Sequence, residues 1–242
     1  MRPQYYYDPP RSDWTRRLKE PPWSYLLIAL AVGLAIYMVF ALPQYGARIL
    51  ILLIAFPIHE LAHAITAYRL GDSTPKYDGR LTLNPLAHLD FFGSLLLMIA
   101  GLGWAKPVRF NPGAVRPNPR TGAMIVAAAG PLSNLALAII LALLWRAVDP
   151  ILPLGIQTNS FINLFFIFVQ INIALFFFNL IPLAPLDGFM VLRGLLPYPL
   201  AYQLERIQPF SFIIFLLLFI LPIPILGWLI SGPTRAVMSV LF

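Results

Sequence analysis

Long apolar runs constrain this chain before any motif does. Residues 23–42, 47–70, 122–145, 161–181 and 210–230 are each long and apolar enough to cross a bilayer, where a backbone has to satisfy its own hydrogen bonds. The expected fold is therefore an all-α polytopic membrane protein with five full spans. With 59% hydrophobic and 11% charged residues and a mean hydropathy of +0.77, the chain lies well outside the range of soluble domains. The absence of cysteine excludes disulfides, thiolate ligands and cysteine catalysis. A formal charge of +7 without a compact basic patch, an RNA-binding signature or a DNA-binding helix pair argues against a nucleic-acid partner. The Lys and Arg residues read instead as markers of cytoplasmic loops.

The second run carries His59-Glu60-Leu61-Ala62-His63, so two of the chain's three histidines and one of its ten acidic residues lie within one stretch of membrane-depth sequence. Polar groups are costly there and need a chemical reason. On a helix, His59 and His63 project from one face about a turn apart and can reach a single zinc ion. Glu60 lies roughly 100° round the helix from His59, poorly placed as a ligand but well placed as a general base that takes a proton from water. Catalytic zinc uses three protein ligands, so a third has to come from elsewhere. The fourth run ends in Asn179-Leu180-Ile181-Pro182-Leu183-Ala184-Pro185-Leu186-Asp187-Gly188, where two prolines disrupt the helix. Irregular backbone at membrane depth belongs beside buried protein or a wet cavity, which makes Asp187 the candidate third ligand.

Other stretches are less specific. Residues 1–22, rich in Pro, Tyr and Arg, read as a cytoplasmic tail ahead of an uncleaved first span, with 23–242 as a single membrane-embedded domain. The Asp78-Gly79 pair inside residues 74–83 is compatible with a small β-hairpin or with an ordinary surface turn. Residues 91–102 are apolar but too short to span, and read as a re-entrant or interfacial segment. In Ala129-Gly130-Pro131-Leu132-Ser133-Asn134 the small residues favour close helix contact, and Asn134 reads first as a packing residue able to hydrogen-bond across that contact, ahead of a catalytic role. His88 reads as an interfacial or loop-packing residue rather than a ligand. Residues 231–242 read as an interfacial tail.

Charge bias orients the spans. With the basic N-terminus inside, the first span leads out and the second leads back, placing Lys76 to Arg120 in the cytoplasm if residues 91–102 do not cross. The third and fourth spans then return Asp187, Arg193 and Arg206 to the cytoplasmic side, level with the motif helix.

Taken together, His-Glu-Leu-Ala-His at 59–63, Ala-Gly-Pro-Leu-Ser-Asn at 129–134 and Asn-Leu-Ile-Pro-Leu-Ala-Pro-Leu-Asp-Gly at 179–188 resemble the site-2 proteases, intramembrane zinc metalloproteases of peptidase family M50. Gly79-Arg80-Leu81-Thr82-Leu83-Asn84-Pro85 looks like the compact prokaryotic branch, which lacks PDZ and CBS domains. The resemblance implies one zinc held by His59, His63 and Asp187, Glu60 as catalytic base, and Asn179 near the metal to position the scissile carbonyl or its oxyanion. It also implies a transmembrane protein or peptide as substrate, cleaved in or near its membrane segment in a regulated proteolytic step. The setting is the lipid bilayer of the cell membrane, with the site towards the cytoplasm. On this reading residues 74–83 could add a strand to an unwound substrate. A metal ion transporter and a non-catalytic zinc scaffold are the alternatives; the first calls for repeated halves, which this chain lacks, and the second has no use for Glu60.

Overall fold

The computed structural model describes residues 23–101, 103–152, 160–220 and 225–242. The tail expected at residues 1–22 lies outside them. Among the described residues the fold is all helical, with no strand and one isolated bridge between Leu89 and Ala105.

Helix α1 covers Trp23–Ala41, and its apolar side chains, among them Leu26, Leu27 and Leu30, stay exposed, as those of a lipid-facing helix do. Helix α2 (Pro43–Leu50) continues through a π turn at Ile51–Ala55 into α3 (Phe56–Arg69), which carries the motif. The π turn has a local cause in the sequence: Pro57 has no N–H and its ring crowds the preceding turn, so the wider winding just before it relieves a helix that otherwise runs unbroken.

Helix α4 is the short Thr74–Tyr77, α5 is Phe91–Ala100, and α6 is the long Pro119–Val148, started by Asn118, whose side chain accepts from the Thr121 amide at 2.9 Å. Helices α7 (Ser160–Asn179), α8 (Asp187–Leu195), α9 (Tyr198–Ile220) and α10 (Ile225–Leu241) follow. Among the described residues, three helical stretches are long and apolar enough to cross a membrane: Pro43–Arg69, Pro119–Ile151 and Ser160–Asn179. They match the second, third and fourth expected runs.

Helix α6 is the spine of the molecule. Its buried residues Gly122, Ala123, Val126, Ala127, Gly130, Pro131, Asn134, Ala138 and Ala142 recur about every fourth position, so they form one stripe of mostly small side chains. Against α6 pack α3, α7 and α8, and small residues let backbones approach closely enough for polar side chains to meet between them.

One expectation is corrected. Residues 74–83 form no hairpin: Pro75 sits in the first turn of α4, and the Asp-Gly pair stops that helix, with Gly79 at φ +68° and the Arg80 amide bonded back to the Pro75 carbonyl at 2.8 Å. The same dipeptide that closes a hairpin also closes a helix. Residues 231–241, expected as an interfacial tail, form the second half of α10 and pack Val237, Met238 and Leu241 against the cluster around Ala138, Val169 and Ile173 on α6 and α7. The run at 210–230, expected to be interrupted by Pro222 and Pro224, falls on the end of α9 and the start of α10; the two prolines lie outside the described residues.

The short helix α5 makes an excursion that closes on itself. Leu89 bridges Ala105, and the Lys106 amide donates to the His88 carbonyl at 2.7 Å, so the two ends of the segment lie side by side. Ten residues of helix reach only about 15 Å, half the thickness of a hydrocarbon core.

Candidate metal centre

Helix α3 presents His59 and His63 one turn apart, and both imidazoles turn towards α6. Their rings stand at 83° with centroids 4.7 Å apart, and their Nε2 atoms are 3.1 Å from one another. From the break after α7, Asp187 brings Oδ2 to 3.2 Å from His59 Nε2 and 3.4 Å from His63 Nε2. Donor atoms from the three residues thus lie within 4.8 Å of one another.

The outer nitrogens decide what this cluster is fit to hold. His63 Nδ1 lies 2.7 Å from the Val126 carbonyl, and His59 Nδ1 lies 2.6 Å from Asn134 Oδ1. A chain of amides fixes the second contact. The Phe168 carbonyl can only accept, so Asn172 Nδ2 donates to it at 2.9 Å, and Asn172 Oδ1 then accepts from Asn134 Nδ2 at 3.1 Å. Asn134 is left with its oxygen facing His59. Both imidazoles therefore carry their protons on Nδ1 and direct bare Nε2 lone pairs, together with a carboxylate oxygen, at one point. Three electron-rich donors that close repel unless a cation lies among them, and two nitrogens with one carboxylate oxygen are a ligand set zinc accepts.

The backbone of α6 shapes the wall of this site. A Cβ on Gly130 would lie 2.2 Å from His63 Nε2 and 2.6 Å from His59 Nε2, within the space the imidazoles and their ligand need. A second close approach holds Asp187 in place: a Cβ on Gly188 would meet the Leu180 carbonyl at 2.2 Å, so the broken segment folds down onto the start of α8.

Glu60 is buried and lies outside the cluster of three, as the helical geometry anticipates. Its Oε2 accepts from the Val108 amide at 3.0 Å. Asn179 closes α7 and donates its side-chain amide to the Leu175 carbonyl of its own helix at 3.0 Å; among the described residues no hydrogen bond joins it to the cluster. His88 is fully buried in the loop before α5, with Nε2 2.8 Å from the Thr82 carbonyl, a packing position apart from the centre.

Sequence reasoning reaches one contributor in part and two not at all. Asn134 is expected to hydrogen-bond across a helix contact, but that it orients His59 appears only in the fold, and Asn172 is absent from the sequence reading, although a buried amide between Ile171 and Ile173 at membrane depth is itself a signal. The Val108 amide carries no sequence signal, since any residue but proline supplies one.

The segment 105–111 that delivers this amide has no regular secondary structure and is strapped to the loop 72–90 by side chains. Arg80 donates to the carbonyls of Ala87 at 2.6 Å, Lys106 at 3.1 Å and Pro107 at 3.4 Å. Arg109 pairs with Asp78 through two contacts of 3.1 Å. Asp72 accepts from the Asn111 amide at 2.6 Å and from the Thr74 hydroxyl and amide at 2.6 and 2.9 Å. Burial alone would raise the Asp72 pKa, but these three donors outweigh it and hold the carboxyl below its ordinary range.

The model of a family described as "Peptidase family M50" matches residues 152–221, the stretch that contains Asn179 and Asp187. Among curated proteins, the chain is 42% identical over 179 residues to "Putative zinc metalloprotease YwhC" of Bacillus subtilis, covering 72% of this chain and 80% of the relative. Two Rip2 proteins carrying the same zinc metalloprotease description also match. That of Mycolicibacterium smegmatis is 34% identical over 191 residues, 75% of this chain and 70% of its own length. That of Mycobacterium tuberculosis (H37Rv) is 31% identical over 186 residues, 73% and 67% respectively. No solved structure matches the chain.

Proposed function

The chain belongs to peptidase family M50, and on that premise we propose that His59, His63 and Asp187 hold its zinc while Glu60 serves as the general base. As a family member it is a membrane-embedded zinc metalloprotease. The observation that carries the assignment of residues is the convergence of two Nε2 lone pairs and one carboxylate oxygen, with both Nδ1 protons tied to fixed acceptors.

When bound, zinc supplies the Lewis acid that polarises a peptide carbonyl and makes water acidic enough to ionise near neutral pH. The remaining work falls to the chain. Glu60 takes the proton of the attacking water and returns it to the departing amine. Val126 and Asn134 hold the imidazoles in one tautomer and one orientation, and Asn172 holds Asn134. Asn179 exchanges the Leu175 carbonyl for the substrate and steadies the scissile carbonyl or its oxyanion.

The substrates on this reading are transmembrane segments of other proteins, cut as a step in regulated intramembrane proteolysis. Five crossings complete the architecture: α1 first, the three long apolar stretches, and an apolar run that begins within α9. The N-terminus and the site face the cytoplasm of the cell membrane, and the self-closing excursion around α5 supports this by returning Lys76 and Arg120 to one side. Residues 23–242 act as one domain.

The test uses purified protein in vesicles with a transmembrane peptide, comparing wild type with Glu60→Gln at matched zinc content. Glu60→Gln is expected to bind zinc normally and to cleave at least about 1,000-fold more slowly. Equal cleavage by the two proteins would remove Glu60 from the mechanism, and zinc flux without cleavage by either would point to transport.

A further inference from the structure

A general base that moves one proton needs one oxygen free and its carboxylate held at one angle. Glu60 commits Oε2 to the Val108 amide, which leaves Oε1 for the proton. The orientation of the base therefore depends on where residue 108 runs. Its neighbour Pro107 has no N–H with which to fix the segment, and no helix or sheet ladder contains either residue.

The Lys106 amide donates to the His88 carbonyl at 2.7 Å, and what holds the carbonyls on the Val108 side of that bond is Arg80. Arg80 is only 5% exposed, and among the described residues its three side-chain hydrogen bonds all go to backbone carbonyls: Ala87 from its own loop, Lys106 and Pro107 from the segment. Burying a guanidinium is costly, and carbonyl dipoles have to offset the lost hydration. The cation consequently binds the segment as firmly as the segment solvates the cation. The fork geometry matters as well, because Nη1 serves Ala87 and Lys106 while Nη2 serves Pro107, a spread that a lysine ammonium covers less well.

We propose that Arg80 is a positioning residue of this protease: by holding the carbonyls of Lys106 and Pro107, it sets the Val108 N–H that fixes Glu60 with one oxygen free. The inference rests on Glu60 being the base. Arg80 touches no ligand of the metal cluster and acts only through the backbone, so its loss spares the metal and spends its effect on the chemical step. The neighbouring clamps differ in kind. Arg109 reaches Asp78 from an exposed position and Asp72 holds Asn111 farther along, and neither sits on the carbonyls that adjoin residue 108.

The experiment measures zinc content, kcat and KM of the full chain in vesicles for wild type, Arg80→Met, Arg80→Lys, Val108→Pro, the Arg80→Met/Val108→Pro double variant, and Glu60→Gln. Arg80→Met is expected to lower kcat by about 10- to 100-fold with zinc content and KM unchanged, the size of effect that a misplaced catalytic group produces. Arg80→Lys recovers part of the loss. Val108→Pro, which deletes the amide itself, matches Arg80→Met, and the double variant falls no further than the weaker single, because both changes break one connection. Independently of activity, the Val108 amide exchanges hydrogen slowly in the metal-free wild type and rapidly in metal-free Arg80→Met.

A wild-type kcat in Arg80→Met, a loss that follows loss of zinc, or losses that multiply in the double variant would each overturn the proposal. If Arg80→Met does not fold, Arg80→Lys decides: a lower kcat at full zinc content supports the assignment and a wild-type kcat refutes it. Glu60→Gln separates the two levels. Full activity there removes the base assignment itself, whereas an inactive Glu60→Gln beside a fully active Arg80→Met removes only the role of Arg80.

Discussion

The metal cradle and the strap that crosses beside it solve one problem, holding polar groups still, with opposite materials. In the cradle, His59 and His63 are steadied by neutral partners: a carbonyl of α6, then Asn134, Asn172 and the Phe168 carbonyl in series. Rigid helices lie close together over a stripe of small residues, so each partner is already in place. In the strap, segment 105–111 has no helix of its own and is held by Asp72, Asp78 and Arg80. Neutral amides suit hydrocarbon depth, where uncompensated charge is costly, and charges suit a loop that has to be pinned without regular structure. The cradle should therefore fail through geometry and the strap through charge.

The largest effect is expected at Gly130. A methyl group there occupies the space beside both Nε2 atoms, so Gly130→Ala should retain helical content and lose its zinc, measured as metal per chain after purification. Full zinc occupancy in that variant would show that the helix wall does not set the site. Asn134→Ala comes next. It leaves the His59 Nδ1 proton without an acceptor in a buried place, and removal of such a partner lowers metal affinity or activity by about 10- to 100-fold. Asn172→Leu acts one step farther out, so its loss should be smaller and should vanish in an Asn134→Ala background. Additive losses would mean that the two amides act separately.

The same contrast explains which parts the sequence reveals. A membrane leaves the backbone few choices, so apolar length alone marks Pro43–Arg69, Pro119–Ile151 and Ser160–Asn179, and the proline pair at 182 and 185 marks the break that delivers Asp187. The four-residue spacing of His59 and His63 is equally local. The strap is not readable in this way. Contacts such as Glu60 to Val108 and Asp72 to Asn111 join positions far apart, and nothing near either partner announces the other. Asp78-Gly79 misleads because helix ends and hairpins use the same turn chemistry. Asn134 is half legible: its burial is expected, but its role appears only when α3 comes to rest against α6.

On the strap, Asp72 should matter more than the exposed pair. Its two oxygens accept three donors, and Asn in its place turns an amide N–H towards one of them, costing about 1–3 kcal/mol of stability. The sign of the pH dependence follows from the lowered pKa. The stabilisation is complete above the ordinary carboxylate pKa and is lost as the pH falls through the depressed folded value. Thermal unfolding followed from neutral to acid pH should show a steeper fall in wild type than in Asp72→Asn; parallel curves would remove Asp72 as an anchor.

The smallest effect is expected at Arg109. Its pairing with Asp78 has good two-point geometry, yet the Arg109 side chain is 80% exposed, and solvent screens such a pair until it contributes about 0.2–1 kcal/mol. Arg109→Ala should therefore leave zinc content and kcat unchanged and lower stability slightly, by an amount that shrinks as salt is added. The segment can spare this clamp because Arg80 and Asp72 hold it on either side from buried positions, where neither water nor salt competes. A marked fall in kcat for Arg109→Ala would mean that the strap is held cooperatively along its whole length. In that case the amide at Val108 would depend on the exposed end as much as on Arg80, and the difference drawn between a buried clamp and a surface pair would not survive.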